Sequence, residues 1–257
     1  MSWERNIVLK SPQEIAVMRQ AGRINALALQ AVREMIRPGV TTAELDAAAE
    51  AVIRKHGAIP TFKGYPGPYP FPATICASIN EQLVHGIPGK RKLQAGDVIS
   101  IDCGSTFEGF VGDAAITVGV GEISPEAHRL IEVTEQALFE GIRQMRAGNR
   151  VGDVSAAIQR YVESYNLHVT REYTGHGVGR QMHEGPQVPN YGIAGRGMVL
   201  RPGMTIALEP MVLIGTHNTR VLSDQWTVVS ADGSLTAHCE HSIAVTDGEP
   251  LILTTPE

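Results

Sequence analysis

The sequence predicts an α+β protein built as a pseudo-twofold repeat, each half a helix pair followed by antiparallel strands around a curved central sheet. Two observations carry this. Leu93-Gln94-Ala95-Gly96, leading to Asp102, matches Leu200-Arg201-Pro202-Gly203, leading to Glu209, at an offset of 107. The pair Arg37 and Gly39 ahead of Glu44-Leu45-x-Ala47-Ala48 matches Arg146 and Gly148 ahead of Asp153-Val154-x-Ala156-Ala157, at an offset of 109. A chain of 257 residues can bury a sizeable interior, and it reads as one catalytic domain, 1–257, with pseudo-repeats about 11–120 and 121–250.

In chain order, Ser11-Pro12-Gln13-Glu14 is a capping box with proline at the first helical position. It opens a helix to about Ile36, with Ile15, Met18, Leu29, Val32 and Ile36 on the buried side. A second helix starts at Thr41-Thr42-Ala43-Glu44 and stops at Gly57. The segment Thr61 to Ala73, with Pro66, Pro68, Pro70 and Pro72, excludes regular structure and reads as a loop over the site. The stretch Val98 to Val118 reads as a hairpin turning at Gly104 to Gly109. With Phe107 and Glu108 at its tip, Asp102 faces Asp113. Directly opposed carboxylates, with Cβ atoms about 4.5–5.5 Å apart, are retained where they share a cation or a proton. Ser124-Pro125-Glu126 opens the third helix, to about Met145, and the fourth runs from about Gly152 to Tyr165. Asp113-Ala-Ala-Ile-Thr-Val resembles Glu240-His-Ser-Ile-Ala-Val, so four carboxylates fall into two similar pairs.

Composition narrows the function. With 43% hydrophobic and 19% charged residues and a formal charge of −5, the chain lacks the basic excess of a nucleic-acid surface. No run of 18 apolar residues occurs and the first residues lack a leader pattern, so no membrane partner is expected and the reading is cytoplasmic. Cys76, Cys103 and Cys239 are odd in number and lack CxxC spacing, which fits a reducing compartment. Cys103 and Cys239 neighbour acids on strands and so should face away from them, as packing residues.

Beside the acids stands Thr174-Gly175-His176-Gly177-Val178-Gly179. The glycines allow close approach, and a neutral imidazole is a common metal ligand. The glycines are a poor phosphate loop because Arg180 to Pro186 is a poor helix, and Gly185-Pro186 also rules out HExxH. Four carboxylates and one imidazole match two divalent cations in charge and hardness, Mn, Co, Fe or Zn.

With these residues in place, the whole chain resembles the type I methionine aminopeptidases of the pita-bread fold. The resemblance implies metal ligands Asp102 (IDCG), Asp113 (GDAA), His176 (TGHGVG), Glu209 (LEP) and Glu240 (CEH). It implies that His85 (VHGIP) bonds the substrate near the scissile nitrogen, that His183 (MHEGPQVPN) polarises the carbonyl, and that Glu209 is also the proton shuttle. A methionine pocket would include Phe62, Tyr65, Cys76 and Trp226, and a monovalent cation would fall near Asn80, Gln82 and Thr236. Substrates would be N-termini of nascent polypeptides whose second residue is small, cut by a monomer; contact with the ribosome stays open. The segment from Tyr65 to Cys76 is longer and richer in proline than the family loop, and Met182 stands where an aromatic is common. An X-Pro peptidase and a pita-bread binding protein without catalysis are the alternatives; such binding proteins typically lose ligands, and all five persist here.

Overall fold

The computed structural model describes residues 7–257; residues 1–6, part of the stretch read for a leader, lie outside the described residues. The first half contains helices α1 (Pro12–Met35) and α2 (Thr42–Lys55), then strands β1 (Ile59–Pro60), β2 (Ile75–Ile79), β3 (Gln82–Val84), β4 (Val98–Phe107) and β5 (Phe110–Gly119). The second contains α3 (Pro125–Gln144) and α4 (Val151–Glu163), then β6 (His168–Val169), β7 (Thr174–Gly177), β8 (Glu184–Pro189), β9 (Thr205–Leu208) and β10 (Met211–Leu213). It closes with β11 (Thr219–Val221), β12 (Val228–Ser230), β13 (Thr236–His238), β14 (Glu240–Ala244) and β15 (Leu251–Ile252).

The main sheet has nine strands along the path β1-β4-β5-β14-β9-β7-β8, with β2 on β4 and β15 on β14. Its centre is the β5–β14 seam, and β4 and β9 flank it symmetrically. The repeat extends to fine detail. Gly39 N donates to Leu93 O at 2.8 Å and Gly148 N to Leu200 O at 3.0 Å. Both glycines have φ of 93°, which a Cβ would strain.

Local chemistry explains the helix starts. Ser11 Oγ accepts from Glu14 N at 3.2 Å while Glu14 Oε2 accepts from Ser11 N at 3.0 Å. Thr41 and Glu44 repeat the reciprocal pair. The third helix is capped by Ser124 Oγ, and the fourth by Asp153, whose Oδ2 takes the Arg150 N–H at 2.7 Å. Helix α1 lies directly on β4 and β5: a Cβ on Gly112 would stand 2.5 Å from Gly22 N. In that contact Asn25 Nδ2 donates to Gly112 O at 3.0 Å and to Cys103 O.

The hairpin register differs from the sequence expectation. Glu108 and Gly109, both at positive φ, form the two-residue turn, so Asp102 lies opposite Ala115 and Asp113 opposite Gly104. The tip therefore sits one residue later than the composition of the turn suggests. The two aspartates remain on one face as diagonal neighbours, a spacing of about 7–8 Å, which leaves room for a cation between them.

Two of the apolar cores belong one to each half, and a third, around Phe62, Phe71, Phe110 and Val178, spans both. One joins α1 and α2 to β2, β4 and β5 through residues such as Leu45, Ile75, Ile99 and Ile101. The other joins α3 and α4 to the second half's strands through Leu130, Ile158, Ile206 and Leu208. Cys103 packs in the first and Cys239 in the second; all three cysteines are buried free thiols. Among the described residues no helix is long and apolar enough to cross a membrane.

Candidate metal centre

The site lies over the β5–β14 seam, and the strand register explains its composition. Asp102 on β4 pairs with Ala115 on β5, and Ala115 pairs in turn with Glu240 on β14. The two carboxyls thus extend on either side of an alanine too small to separate them. Glu209 follows Leu208, the partner of His241, and so continues this row. A second row, two residues along, holds Asp113 opposite Gly104, and Ala207 opposite both Ser242 and His176. Small residues, Ala115, Gly104, Ser242 and Ala207, separate most of the charged ones, while Glu209 and Glu240 are direct neighbours. Gly177 is required by contact rather than torsion, since a Cβ there would meet Gly185 O at 2.0 Å.

Distances bring the groups together. His176 Nε2 is 3.4 Å from Glu209 Oε1 and 3.7 Å from Asp113 Oδ2, and its Nδ1 lies 2.8 Å from Gly177 O, which fixes the ring. A neutral imidazole that donates from Nδ1 leaves the Nε2 lone pair directed at the acids. Burial dominates the electrostatics. It raises Asp102 from 3.8 to about 7, with Glu209 adding to the rise and His238 opposing it. Asp113, Glu209 and Glu240 are likewise pushed well above the ordinary carboxylate range, first by burial. The His176 imidazole is held down to about 3 by burial and by His183.

These residues fit divalent cations. Asp102 Oδ1, Asp113 Oδ1 and Glu240 Oε1 are buried without partners. A dication would satisfy all of these oxygens and remove their mutual repulsion. Oxygen and imidazole donors without a thiolate suit hard to borderline metals. Two overlapping groups have metal-holding spacing, Asp113 with His176 and Glu240, and Glu209 with His238 and Glu240. His238 is absent from the sequence reading; the signal that finds it is His238-x-Glu240 at strand spacing, which puts both side chains on one face.

The acids and His176 line one cavity of about 150 Å³ together with Phe62, Tyr65, Cys76 and Trp226, and also with Phe71 and Met182. His85 and His183 line the same cavity. His85 has φ of 60° and packs edge-on to Tyr173 and Trp226; burial holds it neutral, at about 4. His183 Nδ1 lies 2.5 Å from Tyr65 Oη and is also lowered by burial. The proline-rich loop packs against Trp226: Phe71 and Tyr69 meet the indole edge-on at 5.2 and 6.2 Å, and Tyr69 Oη donates to Asp224 O at 2.9 Å. Gly67 makes this closeness feasible, since a Cβ there would stand 2.3 Å from the indole. Away from the cavity, Thr236 Oγ1 is 2.9 Å from the carbonyl oxygens of both Asn80 and Gln82.

Fold and ligand chemistry together define a metal-dependent hydrolase. Comparison with known proteins makes the class specific. Residues 16–247 match metallopeptidase family M24. The methionine aminopeptidase of Clostridium acetobutylicum is 52% identical over 252 residues, covering 98% of this chain and 100% of that one. Methionine aminopeptidase 1 of Bacillus subtilis is 50% identical over 94% of this chain and 96% of its own. The crystal structure of the Thermotoga maritima methionine aminopeptidase superposes with a TM-score of 0.95 at 45% identity, covering 97% of this chain and 100% of that one. The chain belongs to metallopeptidase family M24, and within it to the type I methionine aminopeptidases of the pita-bread fold.

Proposed function

We propose that the protein removes the N-terminal methionine of nascent polypeptides when the second residue is small, by hydrolysis at a two-metal centre. One observation carries this reading: acids and an imidazole from four strands and the β9–β10 link converge in one small cavity that aromatic and sulfur-bearing side chains also line. A narrow apolar, polarizable pocket suits a thioether side chain.

Asp102, Asp113, His176, Glu209 and Glu240 would hold two divalent ions, of Co, Mn, Fe or Zn. Such ions supply a Lewis acid for the scissile carbonyl and make water acidic enough to attack near neutral pH. The remaining work belongs to the chain. Glu209 accepts the proton of the attacking water and passes it to the departing amine. His183 bonds the scissile carbonyl oxygen: if Tyr65 donates to Nδ1, the neutral ring keeps its proton on Nε2, free to be given to substrate. His85, also neutral, bonds the substrate near the scissile nitrogen. Phe62, Tyr65, Phe71, Cys76, Met182 and Trp226 enclose the methionine side chain and exclude water.

The pseudo-repeats about 11–120 and 121–250 act as one catalytic domain, since the ligands come from both. A monovalent cation would sit near Asn80, Gln82 and Thr236, a reading supported by the closeness of the Thr236 hydroxyl to the Asn80 and Gln82 carbonyls. The working state is a monomer in the cytoplasm, where nascent chains and free thiols both occur, with ribosome association as a further part of the reading.

The test is metal-free protein, stripped by a chelator, assayed on Met-Ala-Ser and on an X-Pro peptide. Cleavage of Met-Ala-Ser should disappear and return with Mn or Co, with the X-Pro peptide left intact. Full activity in metal-free protein refutes the two-metal reading; preference for X-Pro refutes the substrate.

A further inference from the structure

The described centre contains an imidazole that none of the five expected ligands accounts for. His238 ends β13, two residues before Glu240, and its side chain is 2% exposed. Its Nε2 is 3.5 Å from Glu209 Oε2 and 3.8 Å from Glu240 Oε2. Neither ring nitrogen has a hydrogen-bond partner.

An orphaned buried imidazole requires an explanation, because leaving a buried polar group unpaired costs on the order of 1–3 kcal/mol. The distances to the two glutamates exceed those of N–H···O bonds, about 2.7–3.2 Å. They match another arrangement. Atoms each about 2.0–2.2 Å from one shared ion lie roughly 3–4 Å from one another. The His176 group on the other side of Glu209 shows the same spacing, 3.4 and 3.7 Å to its two acids. Glu209 therefore has one oxygen toward each imidazole. The backbone around His238 is fixed for such a role: Thr117 Oγ1 accepts from His238 N at 2.9 Å and donates to His238 O at 2.7 Å, while Ser100 Oγ lies 2.8 Å from the same hydroxyl. These bonds fix the backbone position from which the ring projects.

We propose that His238 is a sixth metal-binding side chain, which together with Glu209 and Glu240 holds one ion of the pair, while His176 serves the other. The inference rests on the two-metal reading. It gives each ion one nitrogen donor in place of an all-oxygen site for one of them, and so shifts that ion's preference toward borderline metals such as Co and Zn.

The experiment is calorimetric titration of chelator-stripped full-length protein with Mn, and separately with Co followed by its visible absorption. Wild type, His238→Ala, His238→Gln and His176→Ala are compared. Wild type should show two binding events. His238→Ala should weaken one of them at least tenfold, the scale of losing even an outer partner, and should change the Co spectrum of that event alone; His176→Ala should weaken the other. His238→Gln keeps an N–H donor without an imidazole nitrogen, so it should behave like the alanine variant. Thermal melting of the metal-free variants near the wild-type temperature identifies the loss as one of ligation. Recovery of wild-type affinity and spectrum by His238→Gln would show a hydrogen bond instead and overturn the proposal. So would two events unchanged in His238→Ala, which would leave the two-metal reading standing. A single event in wild type would overturn both.

Discussion

Replacing Asp102 by asparagine should make the metal-free protein more stable at neutral pH, although it removes a proposed ligand. Burial raises the Asp102 carboxyl from 3.8 to about 7, so the folded state binds its proton more tightly than the unfolded chain does. The sign follows: this contribution to stability is complete below about pH 4 and is lost as the pH rises through 7. At 1.36 kcal/mol for each unit, the loss reaches at most about 4 kcal/mol by pH 7.5. Asparagine has no proton to lose, and its side-chain oxygen can still accept from the Cys103 N–H that bonds Asp102. With a urea slope of about 1–3 kcal/mol per molar, the metal-free variant's midpoint should exceed wild type by roughly 1 M or more at pH 7.5, with the two converging near pH 4. Manganese at a hundred times its dissociation constant should stabilise wild type by about 2.7 kcal/mol, and the variant by less. A metal-free wild-type midpoint that stays flat from pH 4 to 7.5, or a variant no more stable at pH 7.5, would refute the argument that these carboxyls repel and await a cation.

Two further outcomes follow from the assignments. Glu209→Gln keeps the size of the side chain but cannot carry a proton, so kcat on Met-Ala-Ser should fall by roughly 10² to 10⁴ with the circular dichroism spectrum retained; a variant within a few-fold of wild type would exclude the shuttle. Because the chain beyond the scissile bond must pass His85 and His183, Met-Ala, Met-Gly and Met-Ser starts should be cut far faster than Met-Lys or Met-Glu. Equal kcat/KM across the series would contradict that geometry.

Much of this was legible because it was written locally. The capping pairs Ser11–Glu14 and Thr41–Glu44 sit in the sequence three residues apart, and they start helices where expected. Asp102, Asp113, His176, Glu209 and Glu240 stood out through repeated or glycine-flanked patterns. The hairpin register did not, because it depends on which two residues adopt positive φ, and Glu108 at the turn competes with glycines on both sides. Phe71 escaped because its place in the cavity is set by tertiary packing of a loop without periodicity, through Gly64 N to Phe71 O at 2.8 Å and the Trp226 contact. His238 escaped for another reason: besides its spacing from Glu240, its meaning comes from Glu209, which lies 29 residues earlier and meets it only in the fold.

The β5–β14 seam also bears on how the molecule comes apart. Only Ala115 and Ala114 pair across it with Glu240 and His241, helped by the two bonds between Ser242 Oγ and the Asp113 backbone. On each side lies a separate apolar core with its own helix pair. Such cores are natural units of partial opening, each able to keep its own protected amides while the join between them loosens. Asp102 and Asp113 come from one half, and His176, Glu209 and Glu240 from the other, so with no cation present their repulsion acts across the join between the halves. A cation held by both sets turns the same line into a clasp. Filling the centre would then do more than arm the chemistry: it would tie the two halves together across this join.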